Sequence, residues 1–358
     1  MINTQRMTAL AYMGPWNLKL VERDIPEIKR EEDVLIKVAG SGICGTDLGI
    51  ASGLYSANQG VIIGHEFSGT VEETGAAVQN VKVGDRVFVD PTYHCAQCDL
   101  CATGRPNHCI EKSHTETGVS ADGAFASHYV TSSRFVVPMA DSTTFEAASL
   151  AEPFSCALTG VNQVNIRPDD RTIILGGGTM GLMYAHALSL KGVQGTLVDI
   201  SPQRLAFSER ALPLGWKAEK NFNDAIEKIR GKQFDLAVDT TSVMLSSILE
   251  KISRGGKVIM VGLRRGQATI DPAELADRSI SVVGSIDSIG TFPLACRLID
   301  EGRLPWKSIV TKIFNLKNYE AAFAELGVDL KNRETNASAQ HLKIMLTPDE
   351  EMGGLAHE

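Results

Sequence analysis

Apolar positions follow two different rhythms along this chain. Up to about residue 150 they come in short runs, at 34–38, 61–63 and 86–89, with glycine and proline between them at short intervals. Runs of that length behind turns such as Gly84-Asp85 read as β-strands, and their density predicts a partly open barrel. The rhythm changes near Glu152-Pro153. Residues 172–175 read as a buried strand, helical spacing follows over 180–190, and Gly192 ends it. Residues 196–199 form a second strand, after which Ser201 and Pro202 open a helix as N-cap and first helical residue. Further strands at 234–239, 257–261 and 280–283 continue the alternation. Strands separated by helices predict a parallel sheet covered on both faces. After about residue 288 the alternation stops, leaving a helical stretch at 293–300, strands at 310–314 and 343–346, and an acidic helix at 318–326. That segment is expected to return to the first domain. The predicted domains are therefore 1–153 with 289–358, and 154–288, with the last eight residues a frayed tail.

Composition narrows the function classes. The chain has 358 residues, enough for two domains, and is 43% apolar, which is ordinary for a globular protein. Its 35 basic and 43 acidic residues give a net charge of −8, which argues against a grip on nucleic acid or on an anionic membrane. No run of eighteen apolar residues marks a membrane span. The first residues lack the apolar core of a signal peptide. Of seven cysteines, four are clustered at short spacing, which fits metal ligation in a reducing compartment better than a disulfide framework. The cytoplasm is the expected location.

The cluster is Cys95, Cys98, Cys101 and Cys109, spaced C-x2-C-x2-C-x7-C in a lobe at 91–112. Four thiolates with no other ligand type suit a closed, tetrahedral, structural zinc. An iron–sulfur cluster also uses C-x2-C-x2-C, but its usual fourth cysteine follows after three residues and precedes proline. Here seven residues intervene and Ile110 follows. A zinc-ribbon nucleic-acid module would want a basic surface that this composition does not supply.

A glycine turn, Gly176-Gly177-Gly178-Thr179-Met180-Gly181, stands between a strand and a helix, and Asp199 ends the next strand. In that context the pattern is a dinucleotide turn. Gly176 allows the tight turn, Gly178 lets backbone approach a pyrophosphate, and Gly181 allows close helix–strand packing. The Thr179 and Met180 amides face the phosphates. Asp199 accepts from ribose hydroxyls and repels a 2′-phosphate, which favours NAD over NADP, and Arg204 either flanks the adenine or is an ordinary surface arginine. Gly262 and Leu263 are counted with the cofactor residues.

Cys44, His65 and Glu66 would mean little alone. Their setting, Gly42-Ile43-Cys44-Gly45-Thr46-Asp47 and Gly64-His65-Glu66-Phe67-Ser68-Gly69 with Gly75 and Val78 beyond, resembles the zinc-containing alcohol dehydrogenases of the medium-chain dehydrogenase/reductase superfamily. The resemblance extends over essentially the whole chain. It implies an α/β protein with a GroES-like, partly open β-barrel catalytic domain and a Rossmann domain with a doubly wound parallel sheet. It also implies two zincs per chain, NAD, and hydride transfer from a carbinol carbon to the nicotinamide with zinc polarising the hydroxyl. By position, Cys44 and His65 resemble the first two catalytic zinc ligands. Glu66 resembles a carboxylate that binds the metal or sits just behind it. Glu152, in Ala151-Glu152-Pro153, resembles the third ligand of the polyol and threonine dehydrogenase branch. Cys156 is read as a buried neighbour. Thr46 resembles the hydroxyl that takes the alcohol proton, unless it only packs in a strand, and Asp47 supports the ligands from behind.

Two positions depart from that branch. Gly49 stands where many members carry histidine, so any proton relay must differ, and a threonine dehydrogenase becomes less expected. Asp287 and Ser288 stand where sorbitol dehydrogenases place an Arg-Tyr pair. Asp287, His114 and Glu116 are the candidate substrate contacts. The expected substrate is a sugar, sugar alcohol or cyclitol, with L-threonine or another amino alcohol or aminocyclitol as the alternative. A non-catalytic binding or structural protein is the reading from a different class. The family forms dimers and tetramers, and the 280–285 edge is the expected contact of a homo-oligomer.

Overall fold

Ten consecutive residues, Asp33–Gly42, form the strand around which the first unit is built. The computed structural model describes residues 5–336 and 339–348, so the expected frayed tail lies outside the described residues. Val34, Ile36 and Val38 alternate along this strand and pack with Phe67, Val71 and Val87. Glu66–Thr74 and His128–Ser132 pair antiparallel with it, and Lys343–Thr347 pairs at its far end. The whole sheet has seven strands.

The chain from residue 292 onward completes a core that the first 150 residues begin. Leu316, Phe323, Ile344 and Leu346 share one cluster with Leu10, Ile43, Ile63 and Phe125. Burying such side chains contributes about 1.5–3 kcal/mol each, so the return of this segment is driven by apolar surface. Two compact units result: Met1–Glu152 with Phe292–Glu358, and Pro153–Thr291. Residues 61–63 are not a ladder strand. Their backbone bonds run to Leu10 and Tyr12 on one side and to Gly123 and Phe125 on the other, leaving a single bridge to Ala11.

The second unit carries a six-stranded, fully parallel sheet. Its order is Lys217–Glu219, Gly195–Val198, Thr172–Leu175, Phe234–Asp239, Ile252–Met260, Ser281–Gly284. The first strand in sequence lies third, so the winding reverses beside it. That reversal opens a crevice at the carboxyl ends of Thr172–Leu175 and Phe234–Asp239. Helix Pro202–Ala211 opens as expected, with the Arg204 amide donating to Ser201 Oγ at 3.3 Å and Pro202 in the first turn. Among the described residues no helix is long and apolar enough to cross a membrane.

Candidate active site

Cys44 follows the end of strand Asp33–Gly42 and is the N-cap of helix Gly45–Ser52. Asp47, fully buried in that helix, ties two chain segments together. It accepts from the Cys44 amide at 2.8 Å and from the Gly64 amide at 3.2 Å. Gly64 has a φ of +95°, and a Cβ there would lie 2.6 Å from the Phe125 ring, so only glycine makes this turn. The turn delivers His65 and Glu66 at the start of strand Glu66–Thr74. As a result the ligand atoms of Cys44, His65 and Glu66 lie within 4.8 Å of one another.

Electrostatics mark the same place. Burial disfavours an imidazolium at His65, yet the Cys44, Asp47 and Glu152 charges outweigh it and hold its pKa well above the ordinary value. Burial likewise pushes Asp47 up, opposed by His65. His65 Nδ1 is buried without a hydrogen-bond partner, 3.8 Å from Asp47 Oδ1. Thr46 Oγ1 lies 3.7 Å from Cys44 Sγ, in the helix and not in a strand.

One residue of this site carried no sequence signal. Lys343 begins strand Lys343–Thr347 and is 2% exposed. Its Nζ donates to the Ile43 carbonyl at 2.9 Å and to Glu66 Oε2. The charges of Glu66, Cys44 and Glu152 raise its pKa against the effect of burial, which is larger than any one of them.

The other expected residues fall in several places. Glu152, in the first turn of helix Ala151–Asn162, stands outside the 4.8 Å group, although its charge acts on His65 and Lys343. Cys156 is half-buried, not buried. Gly49 packs against Tyr55, whose Cβ would be 3.3 Å from a side chain there. His114 is exposed, and Glu116 lies 3.9 Å from Lys112. In the second unit Asp287 is half-buried with a φ of +58°. Its loop is tied down by Thr291 Oγ1 to the Ser155 carbonyl and by the Ile289 amide to Thr159. A separate cleft of about 540 Å³ in the first unit is lined by Arg30, Asp122 and His128 among others. It holds none of the metal-type groups, and Arg30 and His128 there are already bonded to Asp33 and Glu72.

The four lobe cysteines form the other metal-type group among the described residues. Cys95 and Cys101 sulfurs are 3.9 Å apart and those of Cys98 and Cys101 3.5 Å, far beyond a disulfide bond. Amides aim at these sulfurs: Gln97 and Cys98 donate to Cys95, and Cys95 donates to Cys109. The Ile110 and Cys101 amides pull the Cys98 thiol down to about 6, while burial pushes Cys101 up to about 12.

In the second unit the glycine turn leaves the carboxyl end of strand Thr172–Leu175 and enters helix Thr179–Ser189, with Gly178 as N-cap. A Cβ on Gly181 would lie 1.9 Å from the Gly176 carbonyl oxygen, whereas one on Gly178 would meet nothing within 4 Å. Space is thus left open above the helix N-terminus. Asp199 accepts from the Gly177 and Ser201 amides at 2.8 Å each, with Arg204 3.7 Å away. Asp239, which sequence reasoning passed over, braces the neighbouring loop by accepting from Thr241, Ser242 and Met244. Gly262 follows it, bonded through its amide to the Asp239 carbonyl, and Leu263 is half exposed.

Residues 30–141 match the alcohol dehydrogenase GroES-like domain, and residues 178–301 match the zinc-binding dehydrogenase family. The chain is 31% identical to D-arabinitol dehydrogenase 1 of Uromyces fabae, over 96% of this chain and 98% of that protein. It is also 31% identical to the sorbitol dehydrogenase of Bacillus subtilis (strain 168), with the same coverage of each chain. The crystal structure of 2R,3R-butanediol dehydrogenase from Bacillus subtilis matches with a TM-score of 0.82 at 25% identity, covering 96% of this chain and 100% of that one. This chain belongs to the zinc-containing alcohol dehydrogenases. It is an oxidoreductase acting on CH–OH groups.

The residues of this alcohol dehydrogenase fit the groups its family uses. A thiolate and an imidazole with a carboxylate beside them, all within 4.8 Å, fit a catalytic zinc. The buried His65 Nδ1 has no hydrogen-bond partner and lies 3.8 Å from Asp47 Oδ1, an orphaned polar atom of the kind a metal site accounts for. In the lobe, Zn–S bonds of about 2.3 Å in a tetrahedron require sulfurs about 3.8 Å apart. The two separations of 3.5 and 3.9 Å agree with that. The open space at Gly178, on a helix N-terminus beside the crevice, fits a dinucleotide pyrophosphate.

Proposed function

We propose that this enzyme oxidises a secondary hydroxyl of a polyhydroxylated substrate, a sugar, sugar alcohol or cyclitol, to a ketone with NAD, using one catalytic and one structural zinc per chain. The observation that carries this reading is the Cys44, His65 and Glu66 group with its ligand atoms within 4.8 Å. The likeness to D-arabinitol and sorbitol dehydrogenases supports the substrate class.

Cys44 and His65 hold the catalytic metal, with Glu152 as the candidate third ligand and Glu66 beside the pair. Zinc supplies a Lewis acid for the substrate hydroxyl, and the nicotinamide supplies the hydride acceptor. Asp47 fixes the backbone on both sides of the ligand pair, so Cys44 and His65 do not reorganise when substrate arrives. Thr46, half-buried beside Cys44, takes the hydroxyl proton. With Gly49 in place of histidine, that proton leaves by a different route. Cys95, Cys98, Cys101 and Cys109 close around the structural zinc. Asp287, His114 and Glu116 are the candidate substrate contacts.

Thr179 and Met180 amides receive the pyrophosphate, with Gly176, Gly178 and Gly181 keeping the turn bare. Arg204, Gly262 and Leu263 line the cofactor. The lone pairs left on Asp199 accept from the ribose and repel a 2′-phosphate. The edge strand Ser281–Gly284, paired among the described residues only to Ile252–Met260, supports a homo-oligomer, a dimer or tetramer, joined there. The four clustered thiols, which fit metal ligation in a reducing compartment, support the cytoplasm as the location.

Turnover of a panel of sugars, sugar alcohols, inositols, aminocyclitols and L-threonine with NAD and NADP tests this. Oxidation of one polyhydroxylated group with NAD preferred is the expected result, and turnover of L-threonine alone would sink the substrate class. Asp199→Gly is expected to lower kcat/KM for NAD about 10- to 100-fold, the worth of a hydrogen bond to a charged group, with NADP losing less. An unchanged NADP-to-NAD ratio would refute the part given to Asp199.

A further inference from the structure

Buried charge at this site is arranged around a residue that the reaction does not obviously need. The Lys343 side chain is 3% exposed and that of Glu66 1% exposed, and they meet across 277 residues of sequence. The same ammonium donates to the carbonyl of Ile43, the residue before Cys44. Gly42 stands against the pair. A Cβ there would lie 2.5 Å from Glu66 Oε2 and 3.3 Å from the Lys343 side chain. The strand is therefore kept bare where the carboxylate turns to meet the lysine. Strand pairing sets this up: Gly42 lies opposite Glu66 on one side and Met345 on the other, which brings Lys343 alongside.

We propose that Lys343 is a positioning residue that holds Glu66 out of the inner coordination of the catalytic metal and so keeps a position open for substrate. This rests on the reading of Cys44 and His65 as zinc ligands. The physical argument is competition between two cations for one carboxylate. A buried carboxylate must be paired, and Glu66 has two candidate partners within reach, the ammonium and the metal. Catalytic zinc sites work because one position is left to water or substrate, whereas an added protein carboxylate turns them toward the closed, structural type. Lys343 tips the competition, and by fixing the Ile43 carbonyl it also steadies the approach to Cys44.

Cobalt placed at the catalytic site of the holoenzyme reads this directly, because its visible d–d absorption weakens as coordination number rises. Lys343→Met is expected to weaken that absorption, to raise substrate KM on the order of tenfold or more, and to leave the metal at least as resistant to chelators as in wild type. Lys343→Arg should keep the wild-type spectrum. Lys343→Met with Glu66→Gln should regain it, since the amide is a poor ligand. Gly42→Ala, which pushes the carboxylate away from the lysine, should shift the spectrum in the same direction as Lys343→Met and serves if that variant does not fold. If Lys343 only supports the fold, Lys343→Met will lose metal faster than wild type and Glu66→Gln will not restore the spectrum, which overturns the proposal. Wild-type protein with two zincs and variants of unchanged spectrum would overturn the clamp alone. Wild-type protein with a single zinc would overturn the metal reading together with it.

Discussion

Cys44→Ser is expected to remove one of two zinc ions per chain and to lower kcat/KM by at least about a thousandfold. A neutral hydroxyl replaces a thiolate ligand, and a Lewis acid is worth several kcal/mol of transition-state stabilisation, with each 1.36 kcal/mol equal to about a factor of ten. The loss should be confined to the first unit. Cys44 caps helix Gly45–Ser52, while the glycine turn belongs to the other unit. NADH binding, followed by its fluorescence, should therefore stay within about threefold of wild type, since this change touches no cofactor contact. Metal analysis that still finds two zincs, with activity retained, would remove Cys44 from the ligand set.

Cys98→Ser is expected to cost stability before chemistry. The lobe has little apolar burial of its own: Cys98 and Cys101 are half-buried, and the helix that Cys98 caps, Asp99–Ala102, buries no residue. Metal binding supplies on the order of 10 kcal/mol to small thiolate sites, so without a fourth sulfur the lobe should open and the protein should inactivate irreversibly at lower temperature. The direction with pH follows from the thiols. Zinc needs thiolates, and in the metal-free lobe Cys101 keeps its proton up to about 12 while Cys98 loses its own near 6. Metal uptake must therefore release protons, and the lobe zinc should be stripped more easily as pH falls. Calorimetry showing an unchanged melting temperature in Cys98→Ser would refute a structural zinc.

The parts of this picture legible in the sequence are those carried by local patterns. The turn before helix Thr179–Ser189 needs glycines whatever else happens, because a side chain on Gly181 would collide with the Gly176 carbonyl. Cys44, His65 and Glu66 were recognisable only through the glycines and acids around them, and the fold gathers the three by pairing Gly42 with Glu66. Lys343 was not legible. A lysine opening an apolar strand reads as the strand's solvent end, and nothing nearby says that its partner lies 277 residues earlier. Residues 61–63 looked like a strand because they are apolar, yet their bonds divide between two neighbours and build no ladder. The half-burial of Cys156 is not legible for a related reason. Its surroundings are set by tertiary packing, and helix position alone does not fix them.

The discontinuity of the first unit also sets an order of events during synthesis. A ribosome that has released residues through Thr291 has delivered the entire second unit, while the first still lacks its closing segment. Between the emergence of Glu66 and of Lys343 lie 277 residues. At about 5–20 residues per second that is roughly 14–55 s. Throughout that interval the nascent chain carries Cys44, His65 and Glu66 without the ammonium that meets Glu66 in the folded protein. The second unit is therefore complete in sequence before the first can close its core.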